Sequence, residues 1–258
     1  MIECLKNFGE RRFLFSELVK RDFKKKYKRT YLGMLWSLLS PLLSLLIMSL
    51  VFTGFFGRTQ PHYTIYIFCG NIVFSYFTDS TGGGMGALVN NAEVFSKINL
   101  PKYLFLFSRN VSSFINFGLT FLVFLFFSVI DGIKLGWVFV SLVIPIFSMV
   151  VFNLGVGLIL SALFVFFRDM QYLWGVFTTL LMYMSAIFYT VDSFSPTIQR
   201  LFHLNPVYVY IRYFRLVVID GRFPSAAVNF LAVGYAALAF ALGALVYKKY
   251  NRKFIYYV

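Results

Sequence analysis

Few side chains in this sequence could do chemistry, and their spacing decides against most of it. The two histidines, His62 and His203, are far apart, and the cysteines, Cys4 and Cys69, stand alone. No zinc-ligand spacing arises from them, and no metal site is expected. No acidic cluster is set up to hold Mg²⁺. No G-x-x-x-x-G-K-[ST] loop is present, so the chain does not bind ATP through a P-loop of its own. Nor does any Ser, His and Asp arrangement suggest an activated nucleophile. The run Gly82-Gly83-Gly84-Met85-Gly86 looks like a phosphate loop at first sight. It lacks the following Lys-Ser/Thr and a preceding strand, so close helix packing or a helix break is the better reading.

What remains is charge in unusual places. Asp79 lies just before the glycine run, inside an otherwise apolar stretch. A carboxylate near the membrane core is expensive and usually functional. Flanked by Thr78, Ser80 and Thr81, it can equally be hydrated near a cytoplasmic end, and the sequence leaves both readings open. Asn90–Tyr103 reads N-N-A-E-V-F-S-K-I-N-L-P-K-Y, short, mixed in polarity and ending at a proline. An amphipathic helix at about 91–101 has little reason to exist between two long apolar segments unless something docks on it. Arg168-Asp169 forms a second compact charged point.

The elements that position these groups follow from composition. The 258 residues are 59% hydrophobic and 13% charged. A soluble domain carries about 25% charged residues, so there is too little polar surface to coat a globule in water. The solvent for most of this chain is lipid. Crossing a ~30 Å hydrocarbon core takes about 20 apolar residues in a helix. Six uncharged runs meet that length: Thr30–Gly57, Thr59–Thr78, Asn110–Ile130, Leu135–Phe167, Met170–Val191 and Phe223–Tyr247. The expected architecture is an all-α polytopic membrane protein with spans at about 32–56, 63–84, 107–130, 137–167, 171–190 and 225–247. Net charge is +14, with ten of 24 basic residues in the first 30 positions and four between Lys248 and Lys253. Bases that bracket apolar runs mark cytoplasmic flanks rather than a nucleic-acid surface. Both termini are therefore expected in the cytoplasm, and the N-terminus, with no uninterrupted apolar core, is not a signal peptide.

Three irregularities stand out. Residues 1–30 form an arm in which Phe15, Val19, Phe23 and Tyr27 recur at i, i+4, with Leu14 and Leu18 beside them. This is an amphipathic helix suited to the headgroup layer, its basic side carrying Lys20, Arg21, Lys24 and Lys28 toward anionic lipid. Asp22 and Lys26 interrupt the apolar side and are spaced to pair with each other. Second, the run Leu135–Phe167 is longer than the membrane is thick, so Pro145 kinks it or its inner end projects. Third, the segment at about 195–220 is apolar yet broken by Pro196 and Pro206. Two short re-entrant helices are expected there, around Thr197–Leu204 and Val207–Ile219. Residues 31–251 thus make the transmembrane domain, followed by a basic cytoplasmic tail at 248–258.

These residues resemble the ABC-2 type permeases that export polysaccharides, and the resemblance covers nearly the whole chain. Leu18-Val19-Lys20-Arg21-Asp22, Tyr27, Leu32-Gly33, Leu35-Trp36 and Pro41 are similar to the family's approach to its first span. Asn90–Pro101 resembles its coupling helix, with Lys97 and Pro101 in the usual places. Gly157–Leu163, followed by Phe167-Arg168-Asp169, is the nearest match. Ile187-Phe188-Tyr189 and Leu204-Asn205-Pro206 resemble the outer gate, with Ala186 standing where many members have proline.

The resemblance implies a homodimer bound to two copies of a separate ABC ATPase, with ATP and Mg on that subunit and no cofactor here. It implies a substrate of polysaccharide on undecaprenyl diphosphate, crossing the cytoplasmic membrane. Asn91, Glu93, Lys97, Pro101, Arg168 and Asp169 would couple to the ATPase, and Tyr189, Asn205, Pro206 and Arg212 would belong to the outer gate. The Phe and Tyr rings would offer low-specificity contacts for a sliding sugar chain. A drug or small-lipid exporter of the same family is one alternative. A membrane enzyme on a polyprenyl-linked sugar is another, opposed by the lack of clustered acids or histidines.

Overall fold

A computed structural model describes residues 13–24, 30–56, 62–97, 101–251 and 253–257. The described residues form helices and connecting turns, without strands. Helix α1 covers residues 13–24. It is followed by α2 (Trp36–Phe56), α3 (Tyr63–Gly86), α4 (Ala92–Lys97), α5 (Tyr103–Ile130) and α6 (Val143–Phe166). Then come α7 (Met170–Met184), α8 (Pro196–Phe202), α9 (Pro206–Val218), α10 (Ala226–Tyr250) and α11 (Phe254–Tyr257). In lipid, every backbone polar group must find its partner within the segment, and an all-helical chain meets that demand.

Among the described residues, three segments are long and apolar enough to cross a membrane: Tyr103–Ile130, Trp137–Phe166 and Ala226–Tyr250. The chain is a multi-pass membrane protein. The other expected spans differ from these for identifiable reasons. α2 is apolar over the shorter stretch Trp36–Phe52. α3 has the length but carries Asn71, Ser75, Thr78, Asp79, Ser80 and Thr81. α7 has 15 residues, or ~22 Å of helix, less than the ~30 Å core. The overlong fourth run is relieved at its N-terminal end. A 3₁₀ turn, Trp137–Leu142, leads into α6, so Pro145 falls in the first turn of the α-helix, where its missing N–H costs nothing.

α3 is the central helix and packs on α2, α5, α6 and α9. It buries Ile65, Phe68, Cys69, Ile72, Val73, Tyr76 and Phe77 in the main core, which also takes Phe117 and Phe124 from α5 and Phe152 from α6. Rings interlock along the α3–α5 seam, with Phe68 edge-on to Phe124 and Tyr76 4.9 Å from Phe117. Buried for this reason, α3 tolerates polar residues that a lipid-facing helix would not.

α6 and α10 cross backbone to backbone. A Cβ placed on Gly155 would overlap the Ala239 backbone, and one on Gly243 would overlap the Gly155 carbonyl. α10 turns Ala232, Ala236, Ala239 and Gly243 into this contact. Helices in lipid gain little from hydrophobic burial against each other, so close van der Waals approach of small residues supplies the attraction. Gly84 of α3 meets Gly157 of α6 in the same way; a Cβ on Gly84 would stand 3.3 Å from the Gly157 Cα. Part of the glycine run singled out in the sequence is thus packing.

Candidate functional site

α3 stops at Gly86, and the chain turns through Val89–Asn91 into α4. Asn91 is buried, and its Nδ2 donates to the Ala87 carbonyl at 2.7 Å. Its Oδ1 accepts from Arg21 Nη2 at 2.7 Å. Arg21 also donates to Asp22 Oδ1 at 2.8 Å, and the other Asp22 oxygen accepts from Ser108 Oγ at 3.1 Å. α1 is therefore tied both to the turn before α4 and to α5. Leu18 seals the contact in a cluster with Leu88, Phe105 and Leu106. Asp22, an apparent flaw in the amphipathic pattern, is the fastening group; Lys26 lies outside the described residues, as does Lys28. Lys20 pairs with Glu17 at the surface, and Lys24 is exposed.

The other expected docking residues lie nearby. Glu93 is exposed on α4, and Lys97 ends that helix. The Pro101 carbonyl accepts from the Leu104 N–H as α5 begins. Lys102 donates to the Asn251 carbonyl at 2.8 Å, and partial burial lowers its pKa. Arg168 lies over the Phe164 ring at 5.3 Å, and the Asp169 carbonyl accepts from the Tyr172 and Leu173 N–H groups in the first turn of α7. Val89 packs in one cluster with Phe164 and Met170, so the α4 turn and the α6–α7 corner adjoin.

Asp79 has a partner that sequence reasoning missed. Arg109 of α5 donates from Nη2 to its Oδ1 at 3.3 Å. The Arg109 guanidinium lies against Gly83, where a Cβ would collide with it. A second glycine of the run is therefore explained by close approach to a charged group. The pair lies between two cavities. One, of about 280 Å³, opens among Arg21, Asn90, Asn91, Gly83 and Arg109.

The other is a groove of about 440 Å³ between α2, α3 and α5. α2 lines it with Ser37, Ser40 and Ser44, α3 with Asn71, Ser75 and Asp79, and α5 with Ser113, Asn116 and Thr120. Spacings of three and four residues place each set on one helix face. Trp36, Tyr76 and Phe117 supply aromatic surface beside them. From Asn71 to Asp79 the groove follows α3 for ~12 Å at 1.5 Å per residue. Of these residues only Asp79 attracts notice in the sequence. The signal was present as polar residues repeating at helical spacing in three apolar runs.

At the opposite end of α3, Tyr189, Asn205, Pro206 and Arg212 gather around the segment from α7 to α9. Tyr63 and Tyr66 of α3 donate to the carbonyls of Phe188 and Tyr189, each at 2.8 Å. Tyr189 returns a bond to the Tyr183 carbonyl. The Asn205 side chain caps α9 by accepting from the Val207 and Tyr208 N–H groups, and donates to Ser185 Oγ at 2.9 Å. Pro206 takes the first helical position, where its fixed φ is an advantage. Arg212 contacts His203 Nε2 at 2.7 Å.

The decisive residue here is Arg215, which sequence reasoning passed over. It is buried in α9 and donates to the Ala186 and Ile187 carbonyls at 2.9 Å and to the Tyr66 carbonyl at 3.3 and 3.4 Å. Its guanidinium also lies 3.4 Å from the centre of the Tyr66 ring. Ala186 has a φ of +49°, a left-handed conformation uncommon outside glycine. The bend in this segment is thus made at Ala186, with no proline, and held by an arginine on its carbonyl.

Comparison with known proteins agrees with this layout. The family model for ABC-2 type transporters matches residues 14–219. That span runs from α1 to the end of α9 and includes the α1 fastening, the groove and the segment from α7 to α9. An O-antigen export system permease protein RfbA of Myxococcus xanthus is 26% identical over 228 residues, covering 88% of each chain. One from Klebsiella pneumoniae is 27% identical over 214 residues, covering 81% of this chain and 82% of that one. With four-fifths of its length matched, from the α1 fastening to the arginine-held bend, this chain belongs to the ABC-2 type transporter family.

Proposed function

We propose that this chain is the permease subunit of an ATP-driven exporter that moves a lipid-linked polysaccharide, of the O-antigen type, across the cytoplasmic membrane. The observation that carries this reading is its similarity, over more than four-fifths of each chain, to permeases named for O-antigen export. In this reading α2, α3, α5, α6, α7 and α10 are the six spans, both termini are cytoplasmic, and α8 and α9 dip into the outer leaflet. The permease acts as a homodimer with two copies of a separate ATPase, which carries ATP and Mg. α7 buries none of its residues within the chain, which agrees with a second copy or lipid covering it.

The mechanism follows from the fastenings. ATP-driven closure of the partner subunits pushes on α4 and on the corner at Arg168-Asp169. Asn91 passes that push to α1 through Arg21, and Asp22 passes it to α5 through Ser108. α5 carries Arg109, so its movement acts on the Asp79 pair between the two cavities. At the outer end, the segment held by Arg215 releases or reseals the exit.

The test is genetic and biochemical together. Deleting the gene should abolish surface polysaccharide, and restoring it should require this chain with its ATPase. Purified chain alone, given lipid-linked sugar, should turn nothing over; turnover there would overturn the transporter reading.

A further inference from the structure

We propose that the turn following α10 is a strut that joins the two ATPase docking points into one body, with Lys102 and Phe254 as its positioning residues. This rests on the reading that a separate ATPase pushes on α4 and on the corner at Arg168-Asp169.

After α10 the chain reverses. The Lys253 N–H bonds to the Tyr250 carbonyl at 2.9 Å, and α11 follows. A helix of four residues has no stability of its own, so packing must hold it. The packing comes from Phe254, which is fully buried. It belongs to the cluster that contains Leu18 of α1, Leu88 before the α4 turn, Phe105 of α5 and Val165 of α6. A segment expected from its charge to be only a basic tail thus enters the core beneath the docking elements.

The segment grips both docking points. Lys102 directly follows Pro101. It donates to the Asn251 carbonyl at 2.8 Å, and its Nζ stands 5.8 Å from the centre of the Phe254 ring. Asn251 caps the end of α10, where a helix carries partial negative charge and favours a cation. On the other side is Phe166, two residues before Arg168. Its ring centre lies 5.4 Å from that of Tyr250, 6.0 Å from Phe254 and 4.9 Å from Tyr257. Phe254 is therefore shared between Lys102 and Phe166. α4 has six residues and needs support at both ends. Asn91 fixes the approach to it through Arg21, and Lys102 fixes the departure. With both in place, a push on α4 moves α5, α6 and α10 together; without the second, it spends itself turning the start of α5.

The experiment uses the whole transporter. Surface polysaccharide is measured in cells, and ATP hydrolysis is measured on the complex purified from them. Lys102→Met keeps the stem of the side chain and removes the donor and the charge. Lys102 is partly exposed and its side chain makes no capping bond to α5, so the helix start is left intact. Phe254→Ala empties the shared position. For each, the amount of complex and its ATP hydrolysis should stay near the parent's while export falls roughly tenfold, within the range of couplings carried by packed networks. Lys102→Arg keeps the cation and the donor and should retain most export. The double variant should fall no further than the worse single, because both cut one connection. Parental export by Lys102→Met, or a double loss equal to the product of the single losses, overturns the strut. Export that falls only as far as the amount of complex falls overturns it too, since the segment would then serve folding alone. Surface polysaccharide that does not depend on this chain overturns the parent reading, and the strut with it.

Discussion

Arg215→Met tests how the segment between α7 and α9 is held. The substitution keeps a long side chain and removes every donor. The Ala186 and Ile187 carbonyls lie outside any helix and each lose a charged donor at 2.9 Å. An orphaned buried acceptor costs about 1–3 kcal/mol, so the two together cost about 2–6 kcal/mol. The Tyr66 carbonyl loses less, since it keeps its partner within α3. Against this, removing a buried cation that has no carboxylate paired with it among the described residues recovers part of a desolvation cost of several kcal/mol. The bend at Ala186 decides the sign, because the guanidinium spans two successive carbonyls and no apolar chain can do that. We expect a net effect of about 3 kcal/mol toward opening, roughly a hundredfold in the opening equilibrium. The assay is maleimide labelling of Val191→Cys from the outer face, in a Cys4→Ser background. Val191 is 7% exposed, so labelling requires the segment to open. Arg215→Met should label roughly a hundred times faster than the parent. Arg215→Lys, which cannot span both carbonyls, should fall between them. Equal rates for Arg215→Met and its parent would show that the guanidinium contributes no net hold.

Other substitutions probe the remaining contacts. Gly155→Leu should cost about 3 kcal/mol, the upper end for overpacking, because the obstacle is the α10 backbone; a thermal shift of purified chain in detergent checks it, and an unchanged midpoint contradicts the close crossing. Asn91→Leu should leave partner ATP hydrolysis running while export falls, whereas Asn91→Asp keeps the acceptor for Arg21 and should retain most export; Glu93→Lys and Lys97→Glu should uncouple in the same manner. Asp79→Asn and Arg109→Gln should each lower export more than the double variant does relative to either single, with a coupling of about 1 kcal/mol in a double-mutant cycle; strict additivity would deny the pair. Asn205→Ala should lower thermal stability by about 1 kcal/mol through loss of the α9 cap.

The positions of the helices were legible because lipid leaves one solution for the backbone and apolar runs announce it. The expected helices around Thr197–Leu204 and Val207–Ile219 lie at Pro196–Phe202 and Pro206–Val218 for a local reason: two prolines and an asparagine cap set their starts. The partners of the charged groups were not legible. Asp22 meets Ser108 across 86 positions, Asp79 meets Arg109 across 30, and Arg215 meets Ile187 across 28. No local spacing encodes which helices will be neighbours. For Asp22 the sequence offers only the i, i+4 neighbour Lys26, and the contact with Ser108 becomes visible only when α1 and α5 are seen together. The groove was hidden for the same reason, since each polar stripe by itself reads as a tolerated serine row.

One cost explains why these features share α3. A polar residue in a span is costly in lipid, so it persists where a neighbouring helix or a cavity satisfies it. α3 is the most enclosed of the long helices and the richest of them in polar side chains, and those two properties are linked. On one side, Tyr76, Asn110 and Ser80 form a chain of hydrogen bonds into α5. On the other, Asn71, Ser75 and Asp79 face the groove. Arg109 closes the inner end between them, against a glycine that leaves room for nothing else. Opening the Asp79–Arg109 pair would join the cavity beside Arg21 and Asn91 to the groove, and α5, which carries Arg109, is tied through Ser108 to the arm that Asn91 holds.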